Sequence, residues 1–281
     1  MWVADQYYSI LGTPMMVRFE FEEPMEGVAE LLGSFAVAER IPVRQRHRFS
    51  LVTGAHKGEQ HAGHVLVYRD CSRIARATNL RSAVGHMMAA INRTAIESCA
   101  QFAVHAGVVA RGGSGIAIPV DSMGGKSTLT AALVLGGFEY VSDEALCLES
   151  DGSVVPYRKP LGLSPWSIDA LGLEEVAVPF PKGEGSGEVL VPHRLLGGSP
   201  PQEPVTLAHL VLPEFGHDEA SLEQVAASDG MATLLAMSFN HYRHGADAFH
   251  LAAAVANQAT AWRLRYGDPL AAAKLIGERL G

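Results

Sequence analysis

Residues 117–131 read AIPVDSMGGKSTLTA, and the meaning of this stretch decides how the rest of the chain is understood. Its core, GGKST, matches the phosphate-gripping end of the pattern G-x-x-x-x-G-K-[ST]. In that pattern backbone N–H groups and a helix N-terminus surround the phosphates, the lysine reaches the outer ones, and the next hydroxyl meets Mg2+. Counted back from Lys126, the pattern asks for glycine at position 120, where this chain has Val120; Met123 stands where a small residue is usual. A β-branched residue at positive φ costs on the order of 1–3 kcal/mol. Val120 is therefore expected to stay extended and continue the preceding strand, with the bend moved to Asp121-Ser122. The alternative is a distorted loop with weak phosphate binding.

The flanking order is the one that gives such a match weight. FAVHAGVVA and GIAIPV flank RGGSG, whose glycines permit a hairpin. The second strand runs into the loop, KSTLTAALVLG reads as a helix stopped by Gly136-Gly137, and FEYVSDEALCLE reads as the next strand. A turn at 150–152 leads into SVVPYRKPLGL. Within the strand after the helix, Asp143 and Glu144 are adjacent carboxylates. One can take the proton of an attacking hydroxyl while the other holds Mg2+. Neighbours on a regular strand point to opposite faces, so both can serve only if the strand ends or bulges there.

Composition sets the class. The chain has 281 residues, 48% apolar and 19% charged, with 30 acidic against 22 basic residues and a formal charge of −8. That balance argues against a sequence-independent grip on nucleic acid. Three scattered cysteines suggest a reducing compartment, no signal-like N-terminus is visible, and no run approaches the roughly 20 apolar residues that span a bilayer. A cytoplasmic protein, neither membrane- nor nucleic-acid-bound, is expected. Residues 1–78, with strand-like VRFEFE, RHRFSLVTG and GHVLVYRD, are expected to form a small sheet-rich module. A proline-free helix over 79–101 then leads into the main domain, 79–281. Residues 164–204 are rich in Pro and Gly and read as a long functional loop; LAHLVLPEF is a strand, and SDGMATLLAMSFNHY is a helix capped by Ser228 or Asp229. DAFHLAAAVANQA and PLAAAKLIGERL are further helices around the strand-like AWRLRYGD. His56, His61 and His64 lack a carboxylate or cysteine at a telling interval and read as loop residues.

Taken together, VHAGVVA, IPVDSMGGKSTLTAAL, GFEYVSDEALCL and VPYRKPLGL resemble the HPr kinase/phosphorylase superfamily, and more closely its smaller relatives that include the lasso-peptide precursor kinases. SFNHYRHG and WRLRYGD look similar to that subgroup as well; the likeness covers roughly residues 100–270. The resemblance implies an α+β fold: a P-loop domain related to phosphoenolpyruvate carboxykinase, with a mostly antiparallel, jelly-roll-like sheet and flanking helices. It implies ATP or GTP with Mg2+ as cofactors. It places His105 before the loop strand, Asp143 as proton acceptor and Glu144 as metal ligand beside Ser127. The loop residues Ser122, Met123, Gly124, Gly125, Lys126, Ser127 and Thr128 would hold the nucleotide. Arg158 and Lys159, and Arg243 farther on, are candidates for phosphate or substrate contacts. The segment tied to phosphorylase activity in the bifunctional enzymes has no clear counterpart, so neither dephosphorylation nor HPr as substrate is carried over.

The reading that follows is a kinase acting on a hydroxyl, with the serine of a small protein or precursor peptide encoded nearby as acceptor, and with self-association open. Two other readings stand beside it: a non-catalytic binding protein that keeps a degraded loop, and a kinase of a small metabolite.

Overall fold

The computed structural model describes residues 1–42, 46–54, 64–121, 124–180 and 187–281. Ser122 and Met123 of the loop, and His56 and His61, lie outside the described residues. Among those described, the chain is mixed α+β, with eight α-helices and three sheets, in two compact units.

The first unit is Met1–Ala100 with Val178–Gly185. Strands β1 (Ala4–Ile10) and β2 (Thr13–Phe19), helix α1 (Met25–Leu32), strands β3 (His47–Thr53), β4 (Val65–Arg69) and β5 (Ser72–Ala77), and helix α2 (Leu80–Ser98) follow in order. The sheet runs β1-β2-β3-β4-β5, with only β2 and β3 parallel among the described pairs. Helix α2 is capped by Asn79, whose side chain accepts from Ser82 N at 2.8 Å. It was expected to open the main domain. Its apolar stripe instead packs on β3, β4 and β5, so the contact boundary falls after Ala100. Part of the Pro/Gly-rich stretch also belongs here: a side chain at Gly27 would stand 2.6 Å from the Phe180 ring.

The second unit, Gln101–Ala177 with Ser186–Gly281, holds the loop. Its elements are β6 (Phe102–Arg111), β7 (Ser114–Pro119), α3 (Lys126–Leu135), β8 (Glu139–Ser142), β9 (Ala145–Leu148), β10 (Ser153–Val155), β11 (Leu161–Leu163), α4 (Pro165–Ala170) and β12 (Val189–Val191). They continue with β13 (Val205–Phe215), β14 (Ser221–Gln224), α5 (Ala227–Ala236), α6 (His241–His244), α7 (Ala246–Gln258), β15 (Thr260–Tyr266) and α8 (Pro269–Leu280). The stretch read as one long loop thus contains α4 and β12, the latter paired with β11. Helix α5 starts after Ala226, so Asp229 sits in its first turn and neither Ser228 nor Asp229 caps it.

The main sheet is ordered β10-β9-β6-β7-β13-β15-β14, with β8 also on β6. Strand β10 pairs with both β9 and β13. Among the described pairs all are antiparallel except β7–β13 and β13–β15. The near-continuous apolar run of β6 reflects cover on both faces. Phe102, Val104, Ala106, Val108 and Ala110 join a core with Leu234 of α5 and Ala252 and Val255 of α7. The alternate residues, His105 and Gly107, share the opposite face; Gly107 lies against Lys126 and Thr130 of α3.

This approach is close enough to constrain the sequence. A Cβ at Gly107 would come 2.2 Å from Thr130 Oγ1, a fully buried hydroxyl with no hydrogen-bond partner among the described residues. Gly107→Ala should therefore destabilise the protein by about 1–3 kcal/mol. Thr130→Ala in the same chain should recover part of that loss, because it removes the obstructing atom. Urea melts of the two single variants and the double variant measure the coupling; strict additivity would show that the two residues do not press on each other.

Candidate functional site

The C-terminal ends of β7, β13 and β15 point the same way, and the carboxyl ends of parallel strands are where α/β sheets collect ligands. Strand β8, antiparallel to β6 like β7, ends on that side too. A cavity of about 570 Å3 opens there, and all its lining residues belong to the second unit.

Its floor is the loop. Val120 is not among the described non-glycine residues with positive φ, which are Leu11 and Asp70, so the valine needs no strained backbone. Gly124 N donates to Asp121 O at 3.1 Å. A Cβ at Gly124 would meet Val120 Cγ2 at 2.3 Å, so the valine at 120 requires glycine at 124. Gly125, at φ 78° and ψ 9°, takes the left-handed conformation that only glycine adopts without cost, and starts α3. The first intrahelical bond is Leu129 N to Gly125 O, 2.9 Å, so the N–H groups of Lys126, Ser127 and Thr128 precede the ladder and face the cavity end of the helix.

The wall opposite is built by an interrupted strand. β8 and β9 pair with the same strand, β6, on either side of Asp143-Glu144, where the ladder breaks opposite Ala106-Gly107. The Ser142 hydroxyl accepts from both Glu144 N (3.1 Å) and Ala145 N (3.0 Å), which holds the break in shape. Both carboxylates therefore line the cavity instead of opposing one another across the sheet. This is the break that a pair of adjacent functional carboxylates requires.

Asp143 is 1% exposed and surrounded by donors. Ser127 Oγ donates to Oδ2 at 2.9 Å, Tyr140 Oη and Lys159 Nζ reach Oδ1 at 2.9 Å each, and Gly162 N lies 3.4 Å from Oδ2. Burial raises the carboxyl pKa, but the charges of Lys159 and Lys126 and the hydrogen bonds from Lys159 and Ser127 together hold it below its ordinary value. Burial and the neighbouring carboxylate push the Tyr140 hydroxyl far up, so it stays protonated and donates. Lys126 Nζ donates to the backbone carbonyl of Asp143 and is itself only 8% exposed. Burial lowers its pKa, partly offset by Asp143 and Glu144. Glu144, with 24% of its side chain exposed, meets Lys159 at 3.5 Å. His105, on the loop-facing side of β6, stacks obliquely on Phe239 at 5.3 Å. Burial and then Lys126 lower its pKa, which leaves it neutral at pH 7.

The structure thus brings His105, Gly125, Lys126, Ser127, Thr128, Asp143, Glu144 and Lys159 to one cavity. Arg158 and Arg243 are not among its lining residues. Arg158 is the middle residue of a tight turn in which Lys159 N donates to Tyr157 O at 3.0 Å, and its charge acts on His193, whose pKa is lowered to about 4 first by burial and then by Arg158 and Arg194. Arg243 lies exposed on the four-residue α6. Several lining residues escaped the sequence reading. Ser167 bonds Thr128 Oγ1 at 2.7 Å and Ser164 at 2.8 Å, and Glu188 stands where a Cβ on Gly162 would press at 2.7 Å. Trp166, whose place in the Pro/Gly-rich stretch near the loop reads in sequence as either a substrate contact or core packing, lines the wall with Phe215 and Tyr266, which end β13 and β15. The recognisable signals were small: Tyr140 three residues before Asp143, and aromatic residues closing two parallel strands.

Among the described residues, no group of three or more His, Cys, Asp or Glu side chains stands poised to hold a metal ion. The donors that are present, the Ser127 hydroxyl 2.9 Å from Asp143 Oδ2 with Glu144 adjacent, are hard oxygens. They suit a cation that takes one or two carboxylates and fills its shell with phosphate oxygens and water, as Mg2+ does. Charge points the same way. Asp121, Asp143, Glu144 and Glu188 line the cavity against the ammonium groups of Lys126 and Lys159, so a polyphosphate gains from arriving with a divalent cation. No helix among the described residues is long and apolar enough to cross a membrane. No family model matches the chain, and no curated protein is significantly similar to it.

Removing the carboxylate tests the electrostatics of this site. Asp143→Asn leaves two buried ammonium groups short of their nearest anion and should cost about 3–5 kcal/mol at neutral pH. The sign follows from the depressed pKa: the contribution is complete above the unfolded value of ~3.9 and fades as pH falls through the lower folded value. The stability gap between wild type and variant should therefore narrow as pH drops from about 5 toward 2. Denaturant melts across that range measure it; a gap that stays constant would contradict an ionised buried Asp143.

Proposed function

We propose that the second unit is a nucleotide-dependent kinase of the HPr-kinase-like kind, transferring a γ-phosphoryl group to a hydroxyl, with the serine of a peptide or small protein as acceptor. The observation that carries this reading is the interrupted strand that sets a buried carboxylate 2.9 Å from the hydroxyl of Ser127, beside Lys126 and the helix N-terminus. A loop that served only as a turn and helix cap has no need of a buried lysine or of two carboxylates brought to the same cavity.

In this reading the N–H groups from Lys126 to Thr128 bind phosphate oxygens, and Lys126 exchanges the Asp143 carbonyl for the outer phosphates. Ser127 and one carboxylate of the pair would hold Mg2+, which supplies charge neutralisation when bound. The acceptor oxygen forms a bond to the γ-phosphorus as the bond to the β–γ bridging oxygen breaks. The hydroxyl proton passes to a carboxylate, and the nucleoside diphosphate leaves. His105, neutral at pH 7, orients groups at this end without adding charge. The resemblance gives the proton to Asp143 and the metal to Glu144. The contacts favour the exchange of these roles: Asp143 already accepts from Ser127, Tyr140 and Lys159 and is a weakened base, whereas Glu144 is the more exposed of the two.

Magnesium with ATP or GTP should raise the melting temperature of the wild type, by an amount equivalent to about 2.7 kcal/mol at a hundredfold excess over Kd. Lys126→Ala should abolish most of that rise. With labelled nucleotide and the peptides or proteins encoded by neighbouring genes as acceptors, Glu144→Gln should bind nucleotide and transfer nothing if Glu144 is the proton acceptor. Asp143→Asn should do so if the roles are as the resemblance has them. Turnover without any peptide would point to a metabolite as acceptor. No nucleotide-dependent shift in the wild type would overturn the kinase reading.

A further inference from the structure

The cavity has an aromatic end that no step above uses. Trp166, in α4, and Phe215, the last residue of β13, are 50% and 53% exposed although they line it. Their rings meet edge to face, with centroids 5.6 Å apart at 78°, and Phe215 meets Tyr266, the last residue of β15, at 5.4 Å and 71°. Tyr266 is buried, and its hydroxyl stands 2.8 Å from where a Cβ on Gly125 would lie. The three rings therefore form a ladder that starts at the loop backbone and runs outward to solvent. Two large aromatic side chains left half in water beside a polar cavity are poorly placed for core packing and well placed to take a flat ligand.

Sheet order says which end of a ligand arrives there. The ladder rises from β13 and β15 on one side of β7; Asp143 and Glu144 follow β8, on the other side of β7 beyond β6. A phosphate chain held where β7 enters α3, with its terminal group toward the carboxylates, directs its other end toward β13 and β15. The acceptor, by contrast, must approach on the carboxylate side. We infer that Trp166 and Phe215 form a stacking platform for the nucleobase, a specific site that rests on the nucleotide-binding reading above. Stacking on a ring face is open to every base, and among the side chains at this end, Trp166, Phe215, Tyr266 and Pro269, little is available to read a base edge. The platform should consequently accept adenine and guanine nearly alike.

Calorimetric titration of the full chain with the magnesium complexes of ATP, GTP and inorganic tripolyphosphate separates the platform from the loop. Trp166→Ala and Phe215→Ala should each weaken ATP and GTP on the order of tenfold and leave tripolyphosphate binding unchanged, while Trp166→Phe should retain most of the nucleotide affinity. Unchanged ATP and GTP affinity in both alanine variants would overturn the platform while leaving the nucleotide reading in place. Equal losses for tripolyphosphate and nucleotide would overturn it too, since the effect would then lie in the phosphate loop. So would an effect confined to the KM of the peptide acceptor, which would make the pair an acceptor contact. If the wild type bound none of the three ligands, the nucleotide reading and the platform would fall together.

Discussion

A carboxylate withdrawn from water stays ionised only where donors and cations replace the lost hydration, and Asp143 is held by such a set. The groups that surround it come from separate parts of the chain: Lys126 and Ser127 at the start of α3, Tyr140 from β8, Lys159 from the segment after β10, and Gly162 from β11. One ionised side chain thus fixes the loop helix against the strand break and the crossing segment. This cluster sets the distance between the loop and the carboxylates, and with it the shape of the cavity. Replacing any one donor leaves the remaining charges in a poorly solvated place, so the site and the stability of the second unit are not independent.

In the proposed kinase the same cluster would be the site at rest. Lys126 donates to the Asp143 carbonyl and Ser127 to the Asp143 carboxylate, the two groups that the loop pattern assigns to phosphate and metal. Lys159 lies between the two carboxylates, as an internal counter-ion. A polyphosphate arriving alone would meet four lining carboxylates; arriving with a divalent cation it would offset them. Binding of the cation and of the anion should accordingly be strongly coupled, each lowering the electrostatic cost of the other.

Much of this was legible from local pattern. The hairpin, the loop, the helix stopped by Gly136 and the paired carboxylates lie in one stretch, where each feature constrains its neighbour. The requirement for a break at Asp143-Glu144 followed from the two-residue period of a strand, and the break is there. That Val120 keeps an unstrained backbone also followed, although the compensating demand on Gly124 did not, because it depends on a contact between the valine side chain and position 124. What escaped was set by tertiary packing. Helix α2 is ordinary in sequence and is assigned to the first unit only by its packing on β3 to β5. Lys159 and Arg158 read alike in sequence, as candidate phosphate or substrate contacts; only the fold pairs Lys159 with Asp143 and Glu144 and leaves Arg158 off the cavity lining. Trp166, Phe215 and Tyr266 are separated by dozens of residues and become one ladder only when β13 and β15 run side by side.

If the Asp143 cluster is the resting form of a polyphosphate site, a bound ligand must displace its internal hydrogen bonds. A crystal structure of the full chain with Mg2+ and a non-hydrolysable ATP analogue tests it most directly. Lys126 Nζ should then have moved from the Asp143 carbonyl to a phosphate oxygen, with the metal beside Ser127 Oγ. Phosphates bound elsewhere, with Lys126 and Ser127 still on Asp143, would contradict it.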